Sequence, residues 1–164
     1  AGKSTLLKAL SGQDAFISPT LFATLDTSVR KIVTPDRFSF LLTDTVGFIR
    51  NLPTFLVRAF QATLEEINEA DLILNVLDAS DPARRQHEEA TLSILTGLGA
   101  LSIPRITVYN KSDLLESGQS DLLKTECSNR KDLVLASASE GRGLGSLLKL
   151  IRNRLTGSRN KETL

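Results

Sequence analysis

Three short apolar runs, the last two followed at once by a polar cluster, constrain this chain most. They are LILNVL (72–77), PRITVY (104–109) and LVLA (133–136). Each has the length and bulk of a buried strand rather than of a helix. Helical spacing fills the stretches between and after them. Residues 83–98 read as a helix, 122–128 as a short one at best, and 144–155 as another, with Leu144, Leu147, Leu148, Ile151 and Leu155 on one side. Strands alternating with helices predict an α/β fold, a three-layer α/β/α sandwich around a mostly parallel sheet.

The first half of the chain extends the pattern. Residues 3–11 carry Leu6, Leu7 and Leu10 at helical spacing, and Gly12 is a stop. Residues 13–25 have no period and read as a loop. Residues 28–33 and 38–42 read as strands around the turn signal Pro35-Asp36. Residues 52–68 read as a helix with Pro53 in its first turn. Residues 1–157 are expected to form one domain, and 158–164 a polar tail.

Composition excludes several classes. In 164 residues, 41% hydrophobic and 24% charged, the chain can bury a proper core. A net charge of +1 calls for no polyelectrolyte partner, and DNA is not expected; Arg84-Arg85 and residues 152–161 are only small basic patches. The single cysteine, Cys127, excludes an internal disulfide and a cysteine-rich metal cluster, and points to a reducing compartment. No run is long and apolar enough to cross a bilayer. A cytoplasmic location is expected, with no membrane contact. Oligomeric state is left open.

In a parallel α/β sheet, ligands sit beyond the carboxyl ends of the strands. The polar clusters there are Thr43-Asp44-Thr45-Val46-Gly47, Asn110-Lys111-Ser112-Asp113 and Ser137-Ala138-Ser139. AGKST (1–5) belongs with them. A glycine, a lysine and two hydroxyls at a helix start suit phosphate, because the free N–H groups and the helix dipole attract an anion. Gly2 admits the close approach, Lys3 reaches the outer phosphates, Ser4 offers its hydroxyl to Mg²⁺, and Thr5 contacts the inner phosphate. Asp44 can hold Mg²⁺ directly or through water, and the Gly47 N–H can sense the terminal phosphate. Alone, each cluster has a bland alternative as an ordinary loop.

NKSD is the sharpest signal. The Asp113 carboxylate can accept from the ring N–H and the exocyclic amine of guanine, two donors adenine lacks in that arrangement. Asn110 can bond the N7 side or brace the loops. The Lys111 stem can lie against the base. A backbone N–H of Ser137-Ala138-Ser139 can meet the guanine carbonyl. The nucleotide-binding set is therefore Gly2, Lys3, Ser4, Thr5, Asp44, Gly47, Asn110, Lys111, Asp113, Ser137 and Ala138, with GTP or GDP as ligand.

The order AGKST, DTVG, NKSD, SAS resembles the motif series of translation-factor-class P-loop GTPases. LFATLD (21–26), LLTDTVGFIRNLP (41–53) and AFQATLEE (59–66) are similar to the HflX family. The resemblance runs through almost the whole chain and is densest over 1–82. It implies a Mg²⁺-dependent GTPase associated with the large ribosomal subunit, in ribosome splitting or rescue. It also implies that Thr24 is the switch threonine on Mg²⁺ and the terminal phosphate, with Thr20 and Thr27 competing. Thr24, Gly47 and Lys3 form the expected catalytic set, and Ser4, Thr24 and Asp44 the metal set. Phe48 stands where Ras-like GTPases carry a glutamine that orients the attacking water. Slow intrinsic hydrolysis stimulated by the ribosome follows. The alternatives are a GTP/GDP-sensing scaffold that hydrolyses little, or another P-loop phosphohydrolase.

Gly2-Lys3-Ser4 would be the last three residues of GxxxxGKS. The expectation is thus a domain without its first strand and without the start of its phosphate loop. That strand would lie between the DTVG and LILNVL strands.

Overall fold

The computed structural model describes residues 2–12, 28–44 and 66–159. In chain order these form α1 (Lys3–Ser11), β1 (Ser28–Val33), β2 (Ser39–Asp44), a 3-10 turn (Glu66–Glu69), β3 (Ile73–Asp78) and α2 (Arg84–Gly97). Then come β4 (Arg105–Asn110), a second 3-10 turn (Ser112–Leu114), α3 (Ser117–Asn129), β5 (Leu133–Leu135) and α4 (Leu144–Arg159). The strands make two sheets. β1 and β2 pair antiparallel, and β3-β4-β5 pair parallel with β4 in the middle.

β4 shows why the layers form. Ile106 and Val108 point to one face, Thr107 and Tyr109 to the other, and all four are buried. On the first face Ile106 and Val108 share a core with Leu6 and Leu10 of α1, Ile32 of β1, Val134 of β5, and Leu147 and Ile151 of α4. This core reaches both sheets. Full burial of a side chain such as Leu147 or Ile151 contributes about 1.5–3 kcal/mol. On the second face Tyr109 packs with Leu77, Leu123 and Leu133. Period two along one strand thus feeds two helical layers.

Several boundaries differ from the sequence reading. β2 runs on to Asp44, because Ser28 and Val29 of β1 pair with Asp44 and Thr43. Asp44 therefore closes a strand rather than opening a loop. α3 is 13 residues long, not a short helix. Its start is secured by a reciprocal cap in which the Glu116 side chain accepts from the third-residue N–H and the Gln119 side chain returns to the Glu116 N–H. α4 continues to Arg159, two residues into the expected tail. Of the expected helix over 52–68, only the end is described, and it is a 3-10 turn.

Glu88 also differs. Arg84, Arg85, Glu88 and Glu89 are mixed charges on one helix and in sequence read as a solvated face, yet Glu88 faces β4. Thr107 Oγ1 and Tyr109 Oη donate to it at 3.1 and 3.2 Å, and Arg130 forks onto both its oxygens at 2.6 and 3.3 Å. Burial pushes the Glu88 pKa up, but the Arg130 hydrogen bonds and charge outweigh it and hold the group below its ordinary range. Burial, then the Glu88 and Glu126 charges, push the Tyr109 phenol up to about 12. The network ties α2, β4 and α3 together one residue before Asn110.

Gly143 carries a second fixture. Its φ is +75°, and a Cβ there would stand 2.3 Å from the Leu135 carbonyl oxygen and 3.0 Å from Ala136 Cα. Gly141 has φ +71° but open space around it. Gly143→Ala should therefore cost about 2–4 kcal/mol of unfolding free energy, left-handed strain plus a backbone clash, against about 1 kcal/mol for Gly141→Ala. Urea titration of the two variants checks the ordering; equal losses would refute the close approach.

Candidate nucleotide site

Because β3, β4 and β5 run parallel, their carboxyl ends fall on one edge. Asp78 pairs with Asn110 there. Backbone bonds weld the exits together: Ala79 N–H to Asn110 O at 2.7 Å, Ala136 N–H to Tyr109 O at 2.9 Å and Ser112 N–H to Ala136 O at 3.0 Å. The NKSD and SAS segments are thus fixed to each other before any side chain is considered.

Asn110 joins these segments to the phosphate-type loop. It is buried, at 2% exposure. Its Oδ1 accepts the Ala138 N–H at 3.0 Å, and its Nδ2 donates to the Gly2 carbonyl at 3.4 Å. Gly2 lies close against that amide. Its φ is +77°, and a Cβ on it would come within 2.6 Å of Asn110 Nδ2. Of the two roles left open for Asn110, bracing of the loops is the one this geometry displays. The Ala138 N–H is engaged by Asn110 here.

Asp113 sits in the 3-10 turn after Lys111. Ser137 Oγ, fully buried, donates to Asp113 Oδ1 at 2.5 Å, and Ser139 Oγ stands 3.4 Å from the same oxygen. The Ser137 hydrogen bond leads in holding the Asp113 carboxyl below its ordinary range. The acid is therefore an ionised acceptor at neutral pH, aimed by a hydroxyl that the core immobilises. Ser137 is itself pinned by a two-way backbone bridge to Arg142, both bonds 3.0 Å.

At the amino end of α1, Gly2 is the cap residue and supplies no side-chain acceptor to the first-turn N–H groups. That leaves a cradle suited to an anion. Lys3 forms an ion pair with Asp44, whose carboxylate is buried at the end of β2. The two residues assigned by sequence to phosphate and metal are thereby in direct contact, although 41 positions apart. Ser4 and Thr5 occupy the first turn of α1. For a hard cation such as Mg²⁺, a carboxylate on Asp44 and a hydroxyl on Ser4 are the right oxygen donors, and one or two carboxylates plus phosphate oxygens suffice. The donor set fits, and Asp44 already accepts a positive charge. Thr24, Gly47 and Phe48, with the LFATLD and FIRNLP strings, lie outside the described residues.

One residue at this edge escaped the sequence reading. Asp78 ends β3, and its Oδ2 accepts from Lys111 Nζ at 2.6 Å. The available signal was a carboxylate directly after an apolar strand run, the same signal that marks Asp44.

A family model described as "50S ribosome-binding GTPase" matches residues 1–111. The chain belongs to this family. Among its relatives are GTPase HflX proteins, and the chain is of the HflX type. It is 48% identical over 155 residues to GTPase HflX of Caldanaerobacter subterraneus subsp. tengcongensis, covering 94% of this chain and 34% of that protein. It is 40% identical over 164 residues to GTPase HflX of Escherichia coli (strain K12), covering 100% of this chain and 38% of that protein. The chain thus spans about a third of the length of the curated relatives it matches.

Solved structures agree on the fold. Era in complex with MgGDPNP and nucleotides 1506–1542 of 16S ribosomal RNA superposes with a TM-score of 0.72 at 27% identity, covering 92% of this chain and 51% of that one. The complex of SsGBP with GDP gives 0.73 at 25% identity, covering 95% and 47%. The HflX-type chain therefore has the α/β fold of P-loop GTPases, as its strand and motif order implies. No described helix is long and apolar enough to cross a membrane.

Proposed function

We propose that this domain binds GTP and GDP with Mg²⁺ and hydrolyses GTP, as the switch of a cytoplasmic protein that acts with the large ribosomal subunit in splitting or rescue. The observation that carries the reading is Asn110. One buried amide contacts both the Gly2 loop and the Ala138 segment, beside a carboxylate oriented by Ser137. A guanine site and a phosphate site joined by one side chain serve a ligand that has both parts. Membership of a family described by ribosome binding supports the partner.

In this reading Asp113 accepts from the guanine edge, and the Lys111 stem covers the base. Lys3 would reach the outer phosphates, and Ser4, Asp44 and the switch residue Thr24 would hold the metal. When bound, Mg²⁺ supplies charge neutralisation to the phosphate oxygens. The chain's own residues bind and orient: the Gly2 loop holds the phosphates, and the Gly47 N–H meets the terminal one. Phe48, after Gly47, can neither donate nor accept, so no glutamine stands where Ras-like GTPases use one to orient the water.

The expected result is slow single-turnover hydrolysis of GTP by the protein alone, accelerated at least about tenfold by large ribosomal subunits. Fast hydrolysis unchanged by subunits would sink the switch reading. Negligible hydrolysis in both conditions would favour a GTP/GDP-sensing scaffold, the second reading that Phe48 motivates. ATP should not displace GDP; if it does, the base assignment fails.

A further inference from the structure

The Asp78–Lys111 pair sits at the same sheet edge, and neither the family resemblance nor the motif series gives Asp78 a task. Its two oxygens are divided. Oδ1 accepts from the Ser80 N–H at 3.0 Å and the Ser80 hydroxyl at 2.6 Å, and Oδ2 takes the Lys111 ammonium at 2.6 Å. The carboxylate is therefore locked from behind and cannot follow the lysine if it moves. Lys111 is fixed at its other end as well. Its φ is +64°, and its carbonyl accepts the Leu114 N–H at 3.0 Å in the 3-10 turn. Between these anchors the stem passes the phosphate-loop glycine, with Cε 3.8 Å from where a Gly2 Cβ would stand.

We infer that Asp78 is a positioning residue for the nucleotide base: by holding the Lys111 ammonium, it stretches the four-carbon stem into one fixed wall of the guanine site. The inference rests on the proposed reading of NKSD as the guanine loop. A free lysine carries large rotamer freedom and would have to lose it on each binding event. A lysine already tethered has lost it in the empty protein, which is preorganisation. The tether also neutralises the ammonium locally and keeps it from the phosphates. A plain strand-end ion pair, part exposed, would instead contribute little to anything.

The two readings separate in kinetics. Asp78→Asn keeps the side-chain shape and an oxygen for Ser80 but loses the charge on Lys111. It should raise the GDP dissociation rate about three- to tenfold, the range of one charge-assisted contact. The KM for GTP should rise by a similar factor with turnover at saturating GTP unchanged, because the lost interaction is uniform binding. Lys111→Met should raise GDP dissociation at least as much, and adding Asp78→Asn to it should change the rate by less than about twofold. A GDP dissociation rate unchanged in Asp78→Asn overturns the inference. So does an Asp78→Asn effect of full size in the Lys111→Met background. If the unaltered protein binds GDP and only these tests fail, the proposed function stands; if it binds no GDP, both fall.

Discussion

Asp113→Asn should lower affinity for GDP by at least about 100-fold and allow xanthosine diphosphate to bind in its place. In the proposed reading the carboxylate accepts two donors from guanine, the ring N–H and the exocyclic amine. An amide offers one acceptor and one N–H₂ group, so one of those donors meets another donor. Xanthine replaces the exocyclic amine by a carbonyl, which the new amide can serve. The Ser137 hydroxyl at 2.5 Å supports the exchange, since it can donate to an amide oxygen as it does to Asp113 Oδ1. The variant should fold normally, because Asp113 belongs to a short surface turn and not to the core. Competition of labelled GDP by unlabelled GDP, XDP and ADP measures the outcome. Unchanged preference for guanine would remove Asp113 from base reading.

What the sequence made legible follows from physics that is local. The runs LILNVL, PRITVY and LVLA become β3, β4 and β5 because each is a short apolar segment with nowhere to go but the interior. The polar clusters after them reach one edge because parallel strands must share a direction. Other features depend on partners far along the chain. Glu88 looks solvated until Arg130, 42 positions on, arrives beside it. α3 carries one fully buried apolar residue, Leu123, so its pattern is faint and its cap decides its start. Asp78 reads as the end of an apolar run, and its role needs Lys111, 33 positions away. Asn110 reads in the sequence as a candidate site residue, and its two possible tasks are ranked only by the Gly2 and Ala138 contacts.

Asn110→Ala should be the most damaging single change at the site, acting on fold and ligand together. Removing the amide strips the Ala138 N–H of its buried acceptor, which costs about 1–3 kcal/mol. The vacated volume beneath Gly2 adds a smaller cavity cost. A stability loss of about 2–4 kcal/mol is therefore expected in urea titration. The ligand effect should be of comparable size. Gly2 would no longer be held against the base-reading segments, so the phosphate loop and the NKSD loop would lose their fixed spacing. A diphosphate nucleotide must engage both at once, and the affinity gained by linking two contacts falls sharply when their geometry is no longer set. GDP affinity should drop by more than about 100-fold, while guanosine, which lacks phosphates, should lose far less. Comparing the two ligands by calorimetry separates a broken link from a damaged base pocket. Equal losses for GDP and guanosine would place Asn110 on the base alone and would leave the joining of the two loops to the backbone.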